Sequence, residues 1–160
     1  MSIRELRPGD IDRLTVILKA TEVFTAEEIA IAVELMTAVV TDPLQKDYVI
    51  FVAADGDDTA VGYTCIGPTP ATEGTYDLYW IAVDPRRYGL GDAAALLRTA
   101  EEFVQARSGA LMIVETSSTR KYDRTRGFYL KYGYAELARI RQYYRPGDDL
   151  IVYGKYFPTT

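Results

Sequence analysis

The chain has 160 residues, a formal net charge of −5 and a hydrophobic fraction of 48%. That length suits one domain over 1–160, burying about two-thirds of its unfolded surface, and no apolar run reaches the ~18 residues of a membrane span. The acidic balance argues against general nucleic-acid binding, and zero histidines with one cysteine, Cys65, argue against a zinc site, a His-based triad or a disulfide framework. The lone cysteine, and a start without the apolar core of a signal peptide, suit the cytosol.

In chain order, Ser2 to Leu6 reads as a short strand, and Pro8-Gly9-Asp10 opens a helix to about Lys19. Thr25-Ala26-Glu27-Glu28 has the form of a capping box and starts a second helix, with Ile29, Val33, Met36 and Val40 on one face. Asp42-Pro43 ends it. Tyr48 to Ala54 and Ala60 to Ile66 flank a polar Asp55-Gly56-Asp57-Asp58 turn and read as a hairpin. The run from Tyr76 to Asp84 is apolar, β-branched and aromatic, a strand that breaks at Pro85. Asp92 to Arg107 carries Leu96, Leu97, Ala100, Phe103 and Val104 at helical spacing, and Ser108-Gly109 stops it. Ala110 to Thr116 reads as a buried strand. Ser117, Ser118 and Thr119 offer N-caps for a helix over Arg120 to Tyr132, closed by Gly133. Two last strands, around Ala135 to Tyr144 and Leu150 to Phe157, flank a turn at Arg145-Pro146-Gly147-Asp148-Asp149.

Strand, glycine loop, helix is how a chain makes an anion site from backbone alone. The first amides of a helix lack partners within it, the macrodipole is positive there, and glycine permits close approach. Arg86-Arg87-Tyr88-Gly89-Leu90-Gly91 is such a loop. It lacks the Lys-Ser/Thr of a Walker A motif and the third glycine of a dinucleotide fingerprint. It does fit R-x-x-G-x-G, through Arg86, Gly89 and Gly91. Downstream, the helix over Arg120 to Tyr132 finishes Phe128-Tyr129-Leu130-Lys131-Tyr132-Gly133-Tyr134, which fits F-Y-x-x-x-G-F/Y.

These two motifs, in this order and with these elements between them, resemble the GNAT superfamily, the acetyl-coenzyme A-dependent N-acetyltransferases. The likeness is strongest from Tyr76 to Phe157. It implies an α/β (α+β) fold with a mixed central sheet of about seven strands and helices on both faces. It implies acetyl-CoA as cofactor, with the pyrophosphate on the backbone of Arg87, Tyr88, Gly89, Leu90 and Gly91 ahead of Asp92, and Arg86 adding charge. By the same resemblance, Ile81 and Val83 pair with the pantetheine arm, and the Ile81 or Ala82 amide polarises the thioester carbonyl. Tyr129 falls on the tyrosine that protonates the leaving thiolate. Asp77 takes the place of a general base, with Glu115 its rival and water a third candidate.

Two departures stand out. The segment between Pro85 and Arg86 is two residues shorter than in most members. Tyr122 occupies the place of an asparagine that touches the pantetheine, so Ser117 or Ser118 is the candidate replacement. Arg124, with Arg120 and Lys121, is a candidate contact to a cofactor phosphate. The acceptor is expected beside the second helix, the Pro68 to Thr75 loop and the turn near Arg145. Glu22, Phe24, Glu27, Glu73 and Tyr79 would suit a cationic amine there, while Arg139, Arg141 or Arg145 would suit an acceptor carboxylate. The leading expectation is a small-molecule primary amine as partner. A protein N-acetyltransferase and a non-catalytic acetyl-CoA-binding module are the alternatives, and a homodimer through Ile140, Tyr143, Tyr144 and Tyr153 is plausible.

Overall fold

The computed structural model describes residues 1–158. Its strands are β1 (Ser2–Glu5), β2 (Val49–Ala54), β3 (Ala60–Pro68), β4 (Thr75–Val83), β5 (Leu111–Ser117), β6 (Ala135–Arg145) and β7 (Asp148–Tyr156). The helices are α1 (Ile11–Ala20), α2 (Ala26–Thr41), α3 (Asp92–Ala106) and α4 (Asp123–Lys131), with short 3-10 turns at Pro8–Asp10, Pro85–Arg87 and Arg120–Tyr122. The strands form one mixed sheet in the order β1-β2-β3-β4-β5-β7-β6. β4 and β5 run parallel, whereas β1–β2, β2–β3, β5–β7 and β7–β6 are antiparallel. Among the described residues no helix is long and apolar enough to cross a membrane.

The chain gathers into two compact units, Met1–Gly67 with Trp80–Phe103, and Pro68–Tyr79 with Val104–Thr160. β4 gives its first five residues to the second unit and its last four to the first.

In the first unit, α2 starts where its capping box predicts: the Thr25 hydroxyl accepts from the Glu28 amide at 3.2 Å, and the Glu28 carboxylate accepts from the Thr25 amide at 3.1 Å. Its fully buried residues are Ala32 and Met36, while Ile29, Val33 and Val40 are only half-buried. The apolar stripe is therefore turned toward the small Ala32 rather than centred on the larger residues. Leu14, Ile17 and Leu18 of α1 are buried completely. The β2–β3 turn is pinned by Asp55, whose carboxylate accepts from the amides of Asp57 and Thr59, both at 2.9 Å. Cys65 lies buried in β3, and burial pushes its thiol up to about 12, so it acts as a small apolar filler.

In the second unit, α4 ends in a glycine cap. Gly133 takes φ +89, the Tyr134 amide donates to the Tyr129 carbonyl at 3.0 Å, and the Gly133 amide donates to Leu130 at 3.3 Å. The Tyr129 and Tyr134 rings meet edge to face, 5.5 Å apart. The helix stop expected at Ser108-Gly109 is also found, with Ser108 in the left-handed region at φ +58. Along β7, Tyr153 belongs to the core. Every residue of β6, by contrast, is exposed.

Candidate active site

The loop at the end of β4 is built around Asp84. Its carboxylate accepts from the Arg86 amide at 3.0 Å, from the Arg86 guanidinium at 2.7–3.2 Å, and from Arg13 of α1 at 2.7 Å. Arg86, with Arg13 beyond it, holds the Asp84 carboxyl down to about 2. The chain then turns through Pro85–Arg87, and Gly89 and Gly91 take φ +85 and +89, conformations that suit only glycine at low cost. Arg87 closes on the buried Asp92 carboxylate at 2.6 and 3.1 Å.

The result is a run of free donors. Among the described residues nothing accepts from the amides of Gly89, Gly91, Asp92, Ala93 or Ala94, and the first bond of α3 is Ala95 to Gly91 at 3.0 Å. A Cβ on Gly89 or Gly91 would meet nothing within 4 Å, so open space lies in front of both. Unpaired amides at a helix start, facing open space, form an anion cradle. The side chains contribute less than the sequence suggests, because both loop arginines are engaged by neighbouring carboxylates. Tyr88 and Leu90 are exposed on the loop. The β4 side chains leading into it are structural: Val83 packs with Ala53, Val61 and Leu96, Ile81 lies against that cluster, and Ala82 is buried. Any role of Ile81, Ala82 and Val83 toward a ligand therefore rests on their backbone.

The second unit holds the candidate acid–base groups. Asp77 aligns with Ile113 in the parallel β4–β5 register, and Glu115 follows two residues later, so both carboxylates share one sheet face. Asp77 accepts from the Thr69 hydroxyl at 2.8 Å. Glu115 makes no ion pair or side-chain hydrogen bond with any described residue, and burial, together with the Asp77 charge, raises its carboxyl above the usual range. Tyr129 is only 2% exposed and packs at 5.3 Å against Phe128. Burial first, and Tyr122 second, push its phenol well up, so it stays protonated at neutral pH. Its hydroxyl makes no hydrogen bond with a described residue, and among the described residues no buried side-chain polar atom lacks a partner, so the phenol tip is open.

Tyr122 sits at the start of α4, within the electrostatic reach of Tyr129. Ser117 is engaged elsewhere: its hydroxyl donates to Asp148 and accepts from the Thr119 amide at 3.1 Å. Ser118 accepts from the Asp149 amide at 2.8 Å. Arg124 is exposed in the first turn of α4, whereas Arg126 is committed to the Ser117 and Thr119 carbonyls and to Asp123. Sequence reasoning missed the Asp84 clamp. Asp84 was readable as the cap two residues before Arg86, but the Arg13 bond, 71 residues away in sequence, carries no local signal.

Comparison with known proteins settles the family. The acetyltransferase (GNAT) domain matches residues 46–136, more than half of the chain. The chain belongs to the GNAT family. A crystal structure from Desulfovibrio desulfuricans, a candidate GNAT-family acetyltransferase, superposes with a TM-score of 0.92 at 40% identity, over 97% of this chain and 98% of that one. An aminoglycoside 6′-N-acetyltransferase complexed with coenzyme A matches at TM-score 0.78 and 21% identity, over 100% and 99% of the two chains. The ribosomal-protein-S18-alanine N-acetyltransferase of Escherichia coli matches at 0.77 and 18%, over 99% and 95%. At those identities the last two speak for the fold. No curated protein matches in sequence. This GNAT enzyme is an acyltransferase with acetyl-CoA as its donor, and the free amides at Gly89 and at 91–94 fit the phosphates of such a donor.

Proposed function

We propose that this enzyme, acting as one catalytic domain, acetylates a primary amine of a small molecule by direct attack. One observation carries the reading: Glu115 is an exposed carboxylate with no ion-pair partner among the described residues, on the same sheet face as Asp77. Such a pair draws in a protonated amine and then takes its proton. The residues that would instead hold an acceptor carboxylate are largely engaged, Arg139 with Asp149 at 2.7 Å and Arg145 with Asp148 at 3.4 Å.

Bound acetyl-CoA supplies the acetyl thioester and, after transfer, a thiolate. The chain moves the protons. Glu115 or Asp77, directly or through water, removes one from the acceptor ammonium so that nitrogen has a free lone pair. The Ile81 or Ala82 amide stabilises charge on the carbonyl oxygen. Tyr129, kept protonated by burial, donates its phenolic proton to the departing sulfur. The backbone at Gly89–Gly91 holds the pyrophosphate, with Arg87, Tyr88, Leu90 and Asp92 shaping the loop. Tyr122 and Arg124 are proposed to contact the pantetheine and a phosphate.

Having a single cysteine, Cys65, accords with a cytoplasmic location, and the likeness to the Desulfovibrio desulfuricans protein with a bacterial one. A homodimer would use the exposed β6 edge, through Leu137 and Ile140, rather than Tyr153 of the core.

The test is calorimetric titration with acetyl-CoA, dephospho-CoA and NAD, followed by an amine panel scored by CoA release. Acetyl-CoA binding without NAD binding, and turnover on small amines, supports the proposal. Turnover on a peptide N-terminus alone replaces it with protein acetylation, and binding without turnover on any amine reduces the chain to a binding module.

A further inference from the structure

β6 does not run straight. From Ile140 to Arg145 it advances five positions while β7 moves only two, from Leu150 to Asp148. Residues 141–144 bulge out of the ladder, and Gln142 takes φ +57, a conformation unusual for a residue with a side chain. Ordinary ladder bonds do not hold this excursion. The Asp149 carboxylate does: one oxygen accepts from the Gln142 amide at 2.9 Å and the other from Arg139 Nε at 2.8 Å. Asp149 is itself fixed to the end of β5, its amide donating to the Ser118 hydroxyl at 2.8 Å and its carbonyl accepting from the Ser118 amide at 3.0 Å.

The bulge changes where side chains go. Consecutive residues on a regular strand face opposite ways. Here the Tyr143 and Tyr144 rings stand edge to face, 5.0 Å apart at 86°. They remain 55% and 42% exposed, large aromatic surfaces left open on an irregular segment. The bulge ends at Arg145, in register with Asp148, whose carboxylate accepts from Ser117, two residues past Glu115 on β5. Tyr144 therefore lies toward Glu115's end of that strand, and its phenol is raised by partial burial first and by Glu115 next.

We propose that Asp149 is a positioning residue of the acceptor site: by clamping Gln142 and Arg139 it fixes the β6 bulge that presents Tyr144 beside Glu115, and this aromatic–carboxylate pair selects an acceptor carrying a second cationic centre. The Tyr144 ring offers a face for the cation, and its hydroxyl a hydrogen-bond acceptor for an ammonium. Glu115 supplies the compensating charge, and Asp77 or water then takes the proton from the reacting nitrogen. The inference rests on the N-acetyltransferase reading and deepens it.

The test uses 1,4-diaminobutane against n-butylamine, which has the same carbon chain without the second charge. The wild-type enzyme is expected to prefer the diamine by about tenfold or more in kcat/KM. Asp149→Ala should raise KM for the diamine about tenfold while leaving the acetyl-CoA KM within about twofold. Asp149→Asn, which keeps an oxygen for the Gln142 amide, should recover part of the loss, and Tyr144→Leu should remove the preference for the diamine. A purely structural Asp149 would lower Tm and active-enzyme content while leaving the two amines equally affected, and that result overturns the proposal. So does an enzyme that binds acetyl-CoA but ignores both amines or fails to distinguish them. Failure to bind acetyl-CoA would instead sink the acetyltransferase reading beneath it.

Discussion

Replacing Tyr129 by phenylalanine separates its two roles, packing and proton donation. The ring is buried against Phe128 at 5.3 Å and Tyr134 at 5.5 Å, and phenylalanine keeps both contacts. The hydroxyl gives up no hydrogen bond to the chain, so stability should change by no more than about 0.5 kcal/mol, or roughly 1–2 °C in Tm. Acetyl-CoA affinity should move little, because the free amides of the loop remain. Turnover should not survive. A positioned general acid contributes about 10²–10⁴ in rate, which is about 2.7–5.4 kcal/mol of barrier. The assay is three measurements on one preparation: thermal denaturation, calorimetry with acetyl-CoA, and CoA release at saturating acceptor. A variant with kcat within about twofold of wild type refutes the donor role. One that melts far below wild type refutes the claim that the phenol is unspent in the fold.

Other outcomes follow from the same geometry. Asp77→Asn removes the charge that helps raise Glu115, so the acid limb of the kcat/KM profile should move to lower pH; a limb that stays in place excludes Glu115 as the titrating base. Asp84, held down to about 2, contributes stability that is complete above about pH 4 and is lost as pH falls toward 2. Its worth is at most about 2 kcal/mol, nearer ~1 because Arg86 is 77% exposed, and Asp84→Asn should flatten the acid-unfolding curve accordingly. Gly91→Ala forces φ +89 on a residue with a Cβ that meets no neighbour, so its cost is conformational, about 1–2 kcal/mol. Calorimetry should show acetyl-CoA binding weakened by about tenfold or more; unchanged affinity would clear the loop of the phosphate role.

The elements were legible because punctuation residues mark them. Pro85, the Thr25–Glu28 box, Ser108-Gly109 and Gly133 place element ends within a residue or two of those observed. The two motifs were legible for a physical reason as well. Gly133 makes the cap that fixes the Tyr129 carbonyl, and Gly89 and Gly91 leave amides free, so each signature glycine is needed by the backbone. What the sequence hid is what depends on partners far along the chain. Nothing near Arg13 announces Asp84, and nothing in the alternation of β6 announces that Gln142 leaves the ladder or that Asp149 will hold it there. The surface expected through Tyr143, Tyr144 and Tyr153 likewise splits, since the bulge leaves the first two exposed while Tyr153, on the regular β7, is core.

The placement of charge argues for a division of labour. In the first unit, Arg86 and Arg87, the cations a motif reader assigns to phosphate, are bound by Asp84 and Asp92. Each pair is nearly neutral at long range, so a bound phosphate is met by amide dipoles and by the start of α3 rather than by free guanidinium charge. In the second unit Arg126, Arg139 and Arg145 likewise have acidic partners, while Glu115 is left without a cation among the described residues. Glu115 is exposed and without a counter-ion, so a protonated amine can take that place. Donor recognition written into backbone tolerates change in the loop's side chains. Acceptor recognition by Glu115, Asp77 and Tyr144, as we propose it, does not, and it is there that relatives sharing this fold would diverge in what they acetylate.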